Sequence, residues 1–162
     1  LGNGGIFWIL LSFILWIPRK TRKCGISMSL SLLLCGILGN LILKPWIGRI
    51  RPYDINTSIE LLLPALSDFS FPSGHTYAAF AGAVTLFLFY KKGGAAALIL
   101  ACLIAFSRLY FYVHFPTDIL AGMVMGILLA LFSVWLVRRF LWSRLPASFT
   151  REHSDSRSGT QK

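Results

Sequence analysis

The sequence predicts an all-α fold, a polytopic bundle of transmembrane helices with five spans. Hydrophobic residues make up 56% of the 162 positions and mean hydropathy is +0.68, too apolar and too uniformly so for a soluble domain of this size. The apolar residues also fall into separate runs near the ~20 residues that a membrane helix needs. Finally, the basic residues behind a formal charge of +10 sit in the short stretches between alternate runs. A nucleic-acid-binding module would carry them on one basic face, so no nucleic-acid partner is expected.

Ile6 to Ile17 is unbroken and apolar after a Gly-rich start, and nothing before it resembles the charged n-region of a signal peptide. It reads as a membrane helix, short at its visible end. The chain starts on Leu1 and not on methionine, which suits a fragment or a processed form. Pro18-Arg19-Lys20-Thr21-Arg22-Lys23 is a basic hairpin loop, and Ile26 to Leu43 returns across the membrane. The longest loop, Lys44 to Ser73, holds Asp54, Glu60 and Asp68 and a patch, Leu61-Leu62-Leu63, suited to lying against the membrane surface. Thr76 to Tyr90 forms the third span, Lys91-Lys92-Gly93-Gly94 a turn, Ala95 to Phe106 begins the fourth span, and Ile119 to Phe140 is the fifth. The transmembrane domain runs over 1–145. The tail from Pro146 to Lys162 is polar, rich in Ser and Arg, and is expected to be a disordered cytoplasmic tail. Cys24, Cys35 and Cys102 have no metal-like spacing, and the last two lie in apolar runs where a thiol acts as a small hydrophobe. Neither a disulfide nor a zinc site is expected.

Charge distribution sets an orientation. Arg19, Lys20, Arg22, Lys23, Lys91, Lys92, Arg138, Arg139 and Arg144 fall on one side, which the positive-inside rule makes cytoplasmic. The other side has Lys44, Arg49, Arg51 and Arg108, balanced by Asp54, Glu60, Asp68 and Asp118. A multi-pass protein of the cell membrane follows, with its unusual polar residues at the extracytoplasmic face.

Those residues form three stretches at the ends of apolar runs. Ser107 to Asp118 places Arg108, His114 and Asp118 beside the membrane, where ionisable groups are costly without partners. Pro116 lies between His114 and Asp118, so a loop histidine is expected to face an aspartate in the first turn of a helix that Thr117 caps. A carboxylate so placed holds one imidazole nitrogen and leaves the other as a nucleophile or base. Lys44-Pro45-Trp46-Ile47-Gly48-Arg49-Ile50-Arg51-Pro52 supplies two cations. The proline disfavours helical geometry at Lys44, and the seven-residue spacing, two helical turns, allows Lys44 and Arg51 to share a face. Arg49 reads as an ordinary interfacial arginine. Phe71-Pro72-Ser73-Gly74-His75 opens a helix whose N-terminal N–H groups, with the Ser73 hydroxyl and the close approach Gly74 permits, suit an anion. The plainer alternatives are snorkelling cations for Lys44 and Arg51, and a simple N-cap followed by an interfacial histidine for Ser73 and His75.

Taken together, Lys-x6-Arg-Pro, Pro-Ser-Gly-His and Ser-Arg-x5-His-x3-Asp resemble the three-part signature of the type 2 phosphatidic acid phosphatase family, whose site is similar to that of the vanadium haloperoxidases. Every signature position is matched, in order, between roughly residues 40 and 120. The family usually has six transmembrane helices; with five counted here, the remaining one would precede Leu1. The resemblance implies a membrane hydrolase that cleaves a lipid phosphate monoester or diphosphate through a phosphohistidine. His114 would be the nucleophile, Asp118 its orienting partner and His75 the acid for the leaving alkoxide. Lys44, Arg51, Ser73, Gly74 and Arg108 would hold the phosphate. These cations would supply the charge stabilisation that Mg2+ gives elsewhere, so no metal and no cofactor is expected. The implied partners are the lipid substrate and the bilayer, with no obligate protein partner. A rival chemistry makes His75, His114 and Asp118 metal ligands. A lipid phosphotransferase would use the same site with another lipid as acceptor. A non-enzymatic lipid-binding protein would be favoured had His114 or Asp118 been replaced, and haloperoxidases are soluble. The small size and short loops look most like bacterial members acting on phosphatidylglycerol phosphate, phosphatidic acid or undecaprenyl diphosphate.

Overall fold

A computed structural model describes residues 4–58 and 66–141. These residues form helices and connecting loops, with no strand among them: α1 (Gly4–Trp16), α2 (Arg22–Cys35), α3 (Lys44–Ile47), α4 (Pro52–Ile55), α5 (Gly74–Phe89), α6 (Lys91–Tyr110) and α7 (Pro116–Leu136). Two π-helical stretches, Gly36–Leu43 and Val137–Leu141, continue α2 and α7. An apolar run in a bilayer has no water for its backbone and must satisfy its N–H and C=O groups internally, which a helix does. All five expected apolar runs are helical. The segments Arg22–Ile55, Lys91–Tyr110 and Pro116–Phe140 are long and apolar enough to cross a membrane, whereas Gly5–Trp16 and Gly74–Phe89 are shorter. The Leu61-Leu62-Leu63 patch, Glu60, Arg144 and the polar tail lie outside the described residues.

The bundle buries Trp8, Met28, Tyr77 and Phe80, yet much of its centre is small and much of its outer face is large and apolar. Ala79, Ala81, Ala83, Ala101 and Ala130 are buried, while Leu10, Ile14, Leu33, Leu41, Ile99, Leu103, Phe106 and Leu128 face outward. Membrane helices associate through such small-residue interfaces, because lipid gives no hydrophobic drive for large residues to hide. One close interface joins α5 and α7. Gly122 and Gly126 let α7 lie against the α5 backbone: an added Cβ would come 2.9 Å from Ser73 O and 2.5 Å from Tyr77 O respectively. This close seam brings the first turn of α7 to the first turn of α5, where Ser73 N donates to Asp118 O at 3.1 Å.

At one end the turns are basic. Arg22 Nε donates to Trp16 O (2.9 Å) and Thr21 Oγ1 to Leu15 O (2.8 Å), capping the last carbonyls of α1. Tyr90 Oη reaches Lys20 O at 3.0 Å and Arg138 Nη2 reaches Leu88 O at 3.3 Å, which ties the α1–α2 turn and the π-helical end of α7 to the α5–α6 junction. The expected Lys91-Lys92-Gly93-Gly94 turn is instead the first turn of α6, and the reversal is made at Tyr90 alone. Gly94 permits so tight a hairpin, since a Cβ there would meet Phe87 Cα at 2.1 Å. The opposite end carries residues 48–58, 66–73 and 111–115, and so gathers all three sequence motifs.

Candidate active site

Lys44 is helical (φ −60°, ψ −54°), contrary to the extended backbone expected before Pro45. The reason is the π-helical stretch: Lys44 N donates to Gly39 O, five residues back, and the wider turn accommodates the proline ring that an ordinary α-turn would exclude. The helix then stops at Gly48, whose positive φ of 59° is the left-handed conformation that glycine adopts without a Cβ penalty. Arg51 follows in extended backbone ahead of α4. Lys44 and Arg51 therefore do not share a helix face. They converge across a chain reversal, and what they converge on is Asp68.

Arg51 is buried and held from two loops. Its Nε donates to Asp68 O (2.9 Å), Nη1 to Val113 O (2.7 Å), and Nη2 to Asp68 Oδ1 (2.6 Å). Lys44 Nζ pairs with Asp68 Oδ2. Burial alone would raise the Asp68 carboxyl, but hydrogen bonds and charge from Lys44 and Arg51 outweigh it and hold the group below the usual carboxylate range. Arg51 Nη1 also lies 3.4 Å from His114 Nε2. A guanidinium only donates, so a hydrogen bond between them requires the Nδ1–H tautomer, with the Nε2 lone pair toward the cation cradle.

The other face of the imidazole is enclosed. His114 Nδ1 is 3.5 Å from Asp118 Oδ2 and 3.4 Å from Ser70 Oγ. Asp118 is fully buried, and its oxygens accept from Ser70 Oγ (2.5 Å), Phe115 N (2.9 Å) and Arg49 Nη1 (2.8 Å). Tyr112, at φ 55°, makes the turn out of α6 that brings His114 back into the bundle. Thr117 does not cap α7. Pro116 takes the first helical position, Phe115 is the flanking residue, and the third-position Asp118 side chain accepts the Phe115 N–H. Thr117 Oγ1 instead accepts from Arg49 Nη1 at 2.6 Å. Burial pushes the His114 imidazolium pKa down, helped by the nearby charges of Arg51 and Lys44, and Asp118 offsets this only in part.

A cavity of about 410 Å3 is lined by Lys44, Arg51, Asp68, Gly74, His75 and His114 among others. Ile9, Leu32, Gly36 and Asn40 belong both to its wall and to an adjoining apolar groove of about 500 Å3 between α1 and α2. The site thus has a charged mouth and an oily extension. Two expected phosphate-binding groups stand off this surface. Ser73 is fully buried and its Oγ accepts from Thr76 Oγ1 at 3.0 Å, and Arg108 is turned toward Ser107 Oγ (3.1 Å) and the Phe111 ring (5.5 Å). Among the described residues, no three of His, Cys, Asp and Glu cluster as a metal site would require. Sequence reasoning passed over Arg49, Asp68 and Ser70. Arg49 bridges Asp118 and Thr117 and stacks at 4.1 Å on Phe115. Only Ser70 had a local signal, its place three residues before the Ser-Gly-His turn.

A family model described as the PAP2 superfamily matches residues 24–142. The chain is 36% identical over 128 residues to an undecaprenyl-diphosphatase of Sulfolobus acidocaldarius, covering 78% of this chain and 62% of that protein. Its structure is similar, with TM-score 0.65 and 30% identity, to the crystal structure of a transmembrane PAP2 type phosphatidylglycerolphosphate phosphatase from Bacillus subtilis, covering 83% of this chain and 68% of that one. LpxE of Aquifex aeolicus matches at TM-score 0.65 and 29% identity, covering 82% of each chain. The chain spans between 61% and 65% of the length of the first three curated relatives it matches.

Proposed function

The chain belongs to the PAP2 superfamily, and from that premise we propose that it is a membrane phosphatase that hydrolyses a lipid phosphate monoester or diphosphate through a phosphohistidine on His114. The observation that carries this reading is the setting of the His114 imidazole, with Nδ1 facing Asp118 and Ser70 and Nε2 facing Arg51 in a cavity that Lys44, Gly74 and His75 also line. The Nε2 lone pair attacks phosphorus in line with the leaving oxygen, and Asp118 stabilises the positive charge that develops on the ring. Lys44 and Arg51 neutralise the equatorial oxygens, and the first N–H groups of α5 at Gly74 add fixed donors. A phosphate contact from Arg108 or the Ser73 hydroxyl requires each to turn away from its present partner, Ser107 or Thr76, toward the cavity. His75 protonates the departing alkoxide and then, as base, activates the water that cleaves the phosphoenzyme.

A lipid substrate is supported by the continuity of this cavity with the apolar groove between α1 and α2, which gives an acyl or isoprenoid chain a place beside a membrane-level headgroup. The extracytoplasmic placement of the site rests on the basic turns at the opposite end of the bundle. The undecaprenyl-diphosphatase and the phosphatidylglycerolphosphate phosphatase among the matches suggest which substrates to try first. Purified protein in detergent is assayed for phosphate release from undecaprenyl diphosphate, phosphatidylglycerol phosphate and phosphatidic acid. Release from at least one is expected, with inhibition by vanadate, a mimic of the five-coordinate transition state, and no loss in EDTA. Loss of turnover on chelation, restored by Mg2+ or Mn2+, would favour the metal-ligand reading of His75, His114 and Asp118.

A further inference from the structure

Building on the phosphatase reading above, we infer that Asp68 is an exchangeable internal anion: it occupies the cation cradle between turnovers and helps to displace product phosphate from it. Its carboxylate forks across the two cations, one oxygen on Lys44 Nζ and the other 2.6 Å from Arg51 Nη2. Those are the donors that two oxygens of a bound phosphate would use, so carboxylate and phosphate cannot both hold them. The trio is also unequal. The Lys44 and Arg51 side chains are 8% and 2% exposed, whereas that of Asp68 is 51% exposed. The carboxylate is therefore the member that water and ligand reach first.

A purely structural role, aiming the cations, accounts less well for Arg51. Its guanidinium is already fixed by the backbone carbonyls of Asp68 and Val113, and neither contact needs the carboxylate. What the carboxylate supplies is counter-charge. Two buried cations facing a cavity are costly without an anion, and Asp68 provides one whenever no phosphate is bound. The consequence is kinetic. Competition from Asp68 weakens substrate and product alike, so it sacrifices ground-state binding and speeds release of phosphate, a step that often limits turnover. Asp68 acts by competing for Lys44 and Arg51 and does not itself touch the reacting atoms.

The test measures binding of inorganic phosphate and of orthovanadate by calorimetry, and KM and kcat with p-nitrophenyl phosphate, on the full chain in detergent micelles. A cradle latched about nine-tenths of the time lowers apparent affinity ~10-fold. In Asp68→Asn, both dissociation constants and KM should therefore fall together by ~10-fold, without a rise in kcat. Unchanged or weaker anion binding, in a variant that stays monodisperse and unfolds at the wild-type temperature, would overturn the inference and leave Asp68 a scaffold for the cations. If Asp68→Asn does not accumulate folded, Asp68→Glu keeps the charge but misfits the fork. Its anion affinity should rise by a smaller factor, and no rise would equally overturn the inference. A wild-type protein that binds neither anion would overturn the phosphatase reading itself, and this inference with it.

Discussion

Asp118 and Asp68 are both carboxylates paired with an arginine, but they differ in burial, in the element that carries them and in their other donors. Asp118 is fully buried, stands on the first turn of α7 where that helix is locked to α5, and accepts from Ser70, Phe115 and Arg49. Asp68 lies in a loop, is half exposed, and its carboxylate is paired with Lys44 and Arg51 alone among the described contacts. A carboxylate with several fixed donors inside a close-packed seam cannot leave when substrate arrives, so its charge is permanently available to His114. One that meets solvent and shares its cations with the incoming ligand can exchange. In the proposed mechanism the same functional group thus serves as a fixed orienter beside His114 and as a replaceable counter-ion on the phosphate side.

The largest expected effect comes from breaking the fixed member. Asp118→Asn keeps the shape and the packing of α7 but removes the charge that the proposed mechanism uses to stabilise the developing imidazolium, and presents an amide to Nδ1. A loss of ~10⁴ in kcat is expected, by analogy with triad enzymes, with little change in phosphate binding. A split of the opposite kind, KM up and kcat kept, would show that Asp118 serves the phosphate side instead.

Arg49→Ala sharpens the comparison by removing one support of Asp118 while leaving its charge in place. The Arg49 side chain is about a third exposed, so solvent screens part of its effect. A fall of ~10-fold in kcat is expected, about 1.4 kcal/mol at the transition state, again without loss of vanadate affinity. Weaker vanadate binding would move Arg49 into the phosphate cradle.

These two residues also show how far the sequence was legible. The five apolar runs, the gathering of three motifs at one end and the pairing of His114 with Asp118 follow from hydropathy, charge placement and local spacing, which the chain writes in order. Arg49 and Asp68 were not legible, because their contacts arise only where loops distant in sequence meet: Arg49 lies 69 residues from Asp118, and Asp68 lies 24 from Lys44. Local rules also misled where a neighbouring element overrode them. Pro45 follows a helical lysine because the π-helical stretch before it is wide, and Thr117 yields the cap position because Pro116 already occupies the first turn.

The smallest effect is a shift in pH dependence. Attack needs neutral imidazole, so activity is present above the His114 pKa and is lost as pH falls through it. Burial and the Lys44 and Arg51 charges depress that pKa, which places the acid limb of kcat/KM below the ordinary histidine value of ~6.5. Asp118 opposes the depression, so residual activity in Asp118→Asn should lose its acid limb to still lower pH. An acid limb above ~6.5 in the wild type would mean that the imidazole is not desolvated as its burial requires.

Rapid-quench labelling with a radiolabelled lipid phosphate tests the nucleophile assignment most directly. A burst of acid-labile, base-stable phosphoenzyme is expected within the first turnover, mapping to His114 and absent from His114→Ala together with all turnover. In His75→Ala the label should still form with a leaving group that needs little protonation, such as p-nitrophenolate, and persist longer, because the water that clears it has lost its base. Label on His75, or full activity in His114→Ala, would contradict the account and leave only the binding of phosphate by Lys44 and Arg51.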